Sequence, residues 1–189
     1  MRIITGSAKG VRLATLDGEA TRPTSERVKE AVFSMLQFDI EGRRVLDLFA
    51  GSGQLALEAL SRGASEAVLV DKSKDAVRII NTNAKKTRLD GACRVYCMDH
   101  RDFIRRARSE KFDIVFLDPP YAAGLYAPSL SALLEADMLK ETTLIVCESD
   151  SEGIFANDKS LAERFETVKV SKYSKTVITV LSPKGEVSK

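Results

Sequence analysis

The stretch Arg44-Val45-Leu46-Asp47-Leu48-Phe49-Ala50-Gly51-Ser52-Gly53 decides the fold of this chain. The run from Val45 to Phe49 has the composition of a buried strand, and after it Leu55, Leu57, Ala59 and Leu60 fall at helical spacing. The two glycines therefore sit on a strand-to-helix turn, the place where open α/β sheets bind their ligands. Gly51 and Gly53 permit positive φ there and let a ligand approach the backbone with no Cβ in the way.

Working outward, the same alternation continues. Strands are expected at 44–48, 66–71, 93–97 and 112–117, and helices at 53–62, 74–87 and 101–108, the signature of a mostly parallel sheet with helices on both faces. A helix near 125–134, a strand at 143–147 and a closing strand pair at 165–170 and 176–181 follow. Ahead of the core, residues 2–16 alternate polar and apolar around Gly6 and Gly10 and read as a hairpin, so that 1–20 form an extension and 21–189 the main domain. Ser25 or Thr24 can cap a helix carrying Val28, Ala31, Val32, Met35 and Leu36.

With 189 residues and 44% hydrophobic content, the chain suits one well-buried domain. Met1-Arg2-Ile3-Ile4-Thr5-Gly6 lacks an apolar core of signal-peptide length, and no run approaches the roughly 18 residues of a membrane helix, so a cytoplasmic protein with no membrane partner is expected. Cys93, Cys97 and His100 lack a fourth ligand, and no metal site is expected. Net charge is only +2, but it is unevenly spread: Arg2, Lys9, Arg12 and Arg22 near the start and Lys172 near the end could together hold phosphates.

The chemistry is concentrated in Asp118-Pro119-Pro120-Tyr121, at the end of the apolar run from Phe112 to Leu117. An exocyclic base amine is a poor nucleophile until acceptors take its protons. The Asp118 carboxylate and the Pro119 carbonyl can serve as acceptors, while Tyr121 offers a stacking face for a base drawn out of its stack. Pro119 and Pro120 stiffen the backbone that aims them. Gly51-x-Gly53-x-x-Ala56, with Asp71 about twenty residues on, also fits the dinucleotide fingerprint. Asp47 weighs against that reading, because a carboxylate just ahead of the turn repels a pyrophosphate yet suits the amino group and sulfonium of S-adenosylmethionine. Asp71 is then placed for the ribose, and Asp99 either for the adenine amine or as a helix cap, a role for which Asp102 competes. Phe49, Ser52 and Lys72 complete the expected donor pocket.

These motifs resemble those of the bacterial small-subunit ribosomal RNA guanine-N2 methyltransferases, and the likeness spans nearly the whole chain. Besides the glycine turn and the Asp-Pro-Pro-Tyr tetrad it includes Arg2-Ile3-Ile4-Thr5-Gly6, Thr21-Arg22-Pro23-Thr24, Arg27-Val28-Lys29-Glu30-Ala31, Glu58-Ala59-Leu60-Ser61-Arg62-Gly63-Ala64, and Lys172-Tyr173 with Thr176. The resemblance implies a Rossmann-like, class I methyltransferase fold, an α/β architecture with a seven-stranded sheet whose last strand pair includes an antiparallel member. It also implies an N-terminal hairpin that helps to grip RNA, adenosylmethionine as donor with adenosylhomocysteine as product, and ribosomal RNA as partner, free or in a partly assembled subunit. Departures are mild: Asp71 stands where Glu is more usual, Ser174 where Gly is common, and Gln54 where a small residue is frequent. A DNA adenine or cytosine amino-methyltransferase and a catalytically lapsed RNA-binding protein are the rival readings.

Overall fold

The structure, a computed structural model, describes residues 1–16, 26–120, 124–150, 153–155 and 158–185. Tyr121, Arg22 and the two candidate caps Thr24 and Ser25 lie outside the described residues. Helix α1 (Glu26–Met35) leads into β1 (Arg44–Asp47), α2 (Gln54–Ser61), β2 (Glu66–Asp71) and α3 (Lys74–Thr87). A short 3-10 turn precedes β3 (Cys93–Cys97), followed by α4 (His100–Arg106), β4 (Phe112–Leu117), α5 (Tyr126–Glu135), β5 (Leu139–Ser149), α6 (Lys159–Glu163), β6 (Phe165–Tyr173) and β7 (Thr176–Pro183).

The seven strands form one sheet in the order β3-β2-β1-β4-β5-β7-β6. The first five pair in parallel, and β7 runs antiparallel between β5 and β6. The alternating burial of side chains divides the core in two. On one face Val45, Ala67, Leu69, Ile114 and Phe116 pack with α1, α2 and α3. On the other, Leu46, Val68, Val70, Val115 and Leu117 pack with α4, α5 and α6. Buried on both faces, these strands read as unbroken apolar runs, which is why they are visible in the sequence.

Several elements exceed the sequence reading, β5 and α6 by most. β5 starts at Leu139, ahead of the expected 143–147, because a register shift against β4 between Phe112 and Ile114 lets Lys140, Glu141 and Thr142 join the strand. Thr143 fills the irregularity, donating from Oγ1 to the Phe112 carbonyl at 2.7 Å and accepting from the Lys140 N–H at 2.7 Å. The short α6 is capped by Asp158, whose side chain accepts from the Leu161 N–H at 2.9 Å.

The N-terminal segment departs from expectation most. In place of a strand pair outside the core, it is a loop closed by one antiparallel bridge, Arg2 to Arg12, and Ile3, Ala8 and Leu13 are buried in the core cluster beside α1 and α2. Its anchor is Glu58 of α2, whose side chain is wholly buried. The Glu58 carboxylate accepts from the Ile4 N–H at 2.7 Å, the Thr5 N–H at 3.0 Å and Arg62 Nε at 2.9 Å, and pairs with Lys29 Nζ at 3.1 Å. Lys29, equally buried, donates also to the Arg2 carbonyl. Burial pushes the Lys29 pKa below its ordinary value, against the opposing pull of Glu58. A second tie runs from Ser61, which accepts from the Ala8 N–H and donates to the Thr5 carbonyl.

Removing one member of such a pair leaves a buried charge uncompensated. Glu58→Ala is expected to lower the unfolding free energy by about 3 to 5 kcal/mol, and Lys29→Met by less, because Glu58 keeps its two N–H donors and Arg62. Deleting residues 2–16 should cost stability as well. Urea denaturation measures all three, and a Glu58→Ala midpoint equal to that of the wild type would show that the hub contributes nothing.

Candidate active site

The sheet order brings the sequence motifs together. β1 lies between β2 and β4, so the segments after Asp47, Asp71 and Leu117 emerge side by side at the carboxyl edge, with Asp99 beyond β3. Backbone bonds continue past the strand ends and stitch this edge: Leu48 N–H to the Phe116 carbonyl (3.2 Å), Ala50 N–H to Val70 (3.0 Å) and Met98 N–H to Asp71 (3.0 Å).

The glycine turn is built around two carboxylates. Gly53 is the N-cap of α2 with φ 78°, and Gly51 has φ 52°, conformations that side chains disfavour. At Gly53 a Cβ would also meet Leu69 at 3.1 Å and Ile80 at 3.3 Å. A glycine cap offers no side-chain acceptor to the free N–H groups of the helix, and Asp47 sits close by: the N–H groups of Ala56, in the first turn of α2, and of Phe49 favour its ionised form. Asp47 is only 2% exposed. Burial, and then the nearby Asp71 charge, push its pKa up to about 7. The carboxylate expected to face a ligand is thus first a buried support of the turn. Asp71, half-buried, accepts from the Gly51 N–H at 2.9 Å and the Ser73 N–H at 2.8 Å, fixing both the turn and the start of α3. Ser52 is buried, and its carbonyl accepts from the Asn83 side chain at 2.9 Å. Lys72 is exposed.

Asp99 caps α4, accepting from the Arg101 N–H at 2.9 Å, while Asp102 pairs with Arg105 and leaves the cap to Asp99. The neighbouring His100 ring packs on Phe49 with centroids 4.9 Å apart, and desolvation lowers its pKa, favouring neutral imidazole. Two buried polar atoms here, His100 Nε2 and Gln54 Oε1, have no hydrogen-bond partner among the described residues. Orphaned polar groups beside the turn, together with the two acidic side chains Asp47 and Asp71, suit a ligand with positive charge and several hydrogen-bonding groups; they do not suit a pyrophosphate. Asp118 is half-buried, Pro119 buried and Pro120 exposed, directly across from the glycine turn on the neighbouring strand.

Arg2, Lys9 and Arg12 are exposed on the N-terminal loop, with Arg2 paired to Glu26, whereas Lys172 stands exposed on edge strand β6. Sequence reasoning also passed over Arg101, Arg105 and Arg108, whose one-face spacing was readable. They line a cavity of about 500 Å³ between α4 and α5, shared with Asp99, Asp102 and Glu135. Equal numbers of both signs make this a mixed wall, not a basic one. Asn83 was missed because its partners lie 69 and 31 residues away in the chain.

Comparison with known proteins agrees with this geometry. The family model described as conserved hypothetical protein 95 matches residues 1–182. The Bacillus subtilis protein YlbH, a proposed rRNA methyltransferase, is 41% identical over 80% of this chain and 84% of its own length. The Haemophilus influenzae protein named ribosomal RNA small subunit methyltransferase D is 35% identical over 80% of each chain. Among solved structures, the Escherichia coli protein yhhF superposes with a TM-score of 0.84 at 27% identity, over 98% of this chain and 99% of that one.

Asp47 leaves a measurable mark on stability. Its folded pKa of about 7 lies above the ordinary carboxyl value of 3.8, so between those values the native state holds a proton that the unfolded state has released. This group's contribution therefore falls as pH rises from about 4 to about 7, at up to roughly 1.4 kcal/mol per unit, and is flat above. Asp47→Asn should flatten that part of the stability profile. Urea midpoints at a series of pH values decide it, parallel wild-type and variant curves being the contrary outcome.

Proposed function

The chain belongs to the family described as conserved hypothetical protein 95, and from that membership we propose that it is an S-adenosylmethionine-dependent methyltransferase of small-subunit ribosomal RNA. The finer reading is transfer to the exocyclic N2 amine of a guanine, and a ribosomal substrate implies action in the cytoplasm. The observation that carries the chemistry is adjacency: Asp118-Pro119-Pro120 and the glycine turn leave neighbouring parallel strands, β4 and β1, at the same sheet edge. An acceptor for the target amine and a seat for the methyl donor are thereby set side by side.

When bound, adenosylmethionine supplies a methyl group already activated by its sulfonium. The residues of the chain supply position and charge. Asp71, together with the share of Asp47 that is ionised near pH 7, sets negative charge at the turn that a cationic ligand relieves. The spare lone pairs of Asp71, beyond those given to Gly51 and Ser73, are free for ribose hydroxyls. Phe49 and His100 form an apolar wall close to Asp99. Asp118 takes one hydrogen bond from the target amine and the Pro119 carbonyl a second, localising the nitrogen lone pair, and Tyr121 supports the flipped base by stacking. Orientation of bound reactants accounts for roughly 7 to 11 kcal/mol of the barrier in such reactions. Asp118 need not be a strong base, since the methylated amine is cationic and sheds its proton readily. Arg2, Lys9, Arg12, Arg22 and Lys172 are the proposed phosphate contacts.

The deciding experiment is methyl transfer from labelled donor to RNA from undermethylated small subunits, with mapping of the modified nucleotide. Label on adenine or cytosine of DNA instead would move the chain to the rival class. Asp118→Ala should reduce turnover to below about a tenth while leaving donor affinity unchanged by calorimetry. Asp71→Ala should instead weaken donor binding by roughly 1 to 3 kcal/mol. At Tyr121, Phe should sustain turnover and Ala should not; equal damage from both would assign the work to the hydroxyl.

A further inference from the structure

Asn83 lies on α3 with none of its surface exposed, a costly place for an amide unless every polar atom is used. Here they are. Oδ1 accepts from the Ala14 N–H at 2.8 Å, and Nδ2 donates to the Ala14 carbonyl at 2.9 Å and to the Ser52 carbonyl at 2.9 Å. The two bonds to Ala14 engage the N-terminal segment as a paired strand would, while the third grips the middle of the glycine turn. Because the amide is planar, its two N–H groups point in fixed directions, and the carbonyls of Ala14 and Ser52 are held in a set relation to one another. Neither can shift without stranding a buried polar group.

We propose that Asn83 is a positioning residue that couples the N-terminal segment to the donor turn, so that donor binding at the turn and order of the segment at Ala14 favour one another. The inference rests on reading the turn as the adenosylmethionine site. Coupling of this kind is reciprocal: whatever stabilises the segment, including an RNA held by Arg12 nearby, raises donor affinity by the same factor that the donor raises the affinity of the segment for it.

The test uses the full chain, with adenosylhomocysteine as probe in calorimetry and in amide hydrogen exchange. In the wild type the probe should slow exchange of the Ala14 N–H. Asn83→Ala should bind it roughly three- to tenfold more weakly, raise the donor KM with kcat retained at saturating donor, and lose the response at Ala14. Asn83→Asp keeps the acceptor for Ala14 N–H but loses both donated bonds, and should fail to restore affinity. Thr87→Val removes another buried hydrogen-bonding group of α3, a hydroxyl bonded to the Asn83 and Ala84 carbonyls, and should lower stability without changing affinity. Wild-type affinity in Asn83→Ala, or an Ala14 amide indifferent to a probe that does bind, overturns the coupling. A wild type that binds neither adenosylmethionine nor the probe overturns the reading of the turn itself, and is told apart by appearing before any substitution is made.

Discussion

A strand-to-helix turn made of glycines cannot cap its own helix, and the site is arranged around that constraint. Gly51 and Gly53 adopt backbone conformations that give the turn its shape, but they bring no side-chain acceptor for the N–H groups at the start of α2. Asp47 comes close to the first turn of α2, where the Ala56 N–H favours its ionised form, and Asp71 accepts from the Gly51 N–H and so holds the turn itself. Their proximity has an electrostatic consequence. Burial, and then the Asp71 charge, push the Asp47 pKa up to about 7. In the proposed function a cationic ligand lowers that cost.

The same economy governs the N-terminal segment. Its backbone N–H groups would be unpaired against the core, and Glu58, Ser61 and Asn83 provide the partners. The price of burying Glu58 is met by Lys29 and Arg62, and Lys29 in turn finds a carbonyl on the segment. The segment is therefore a structural part of the face formed by α1 to α3, while its arginines and Lys9 remain at the surface.

Much of this was legible in the sequence. The parallel strands β1, β2 and β4 are apolar on both faces and announce themselves as runs, and glycines between a strand and an amphipathic helix admit few readings. Asp118-Pro119-Pro120 could be placed at a strand end from composition alone. What stayed hidden depends on partners far away in the chain. That residues 2–16 reach the core requires knowing that Glu58 faces them, and that Asp47 is buried requires knowing how α2 folds back beside β1. The early start of β5 rests on one threonine hydroxyl filling a register shift, which no periodicity reports. Asp99 reads in the sequence as an acceptor for the adenine amine, with a helix cap as the alternative, and the structure shows it capping α4.

The division of labour between neighbouring strands follows from the sheet itself. In the proposed reaction β1 and β2 carry the carboxylates that face the donor's positive charge, and β4 leads to Asp118, the acceptor for an amine that is neutral before reaction and cationic after it. Asp71 and Asp118 follow strands that flank β1 on opposite sides, so the third carboxylate is kept two strands from Asp71. The parallel arrangement supplies that spacing automatically, since adjacent strands lie about 4.8 Å apart and their carboxyl ends emerge on one edge. In the proposed transfer positive charge passes from sulfur to nitrogen between these strands, with a carboxylate near each end, which positions the reaction with no need for a strong base.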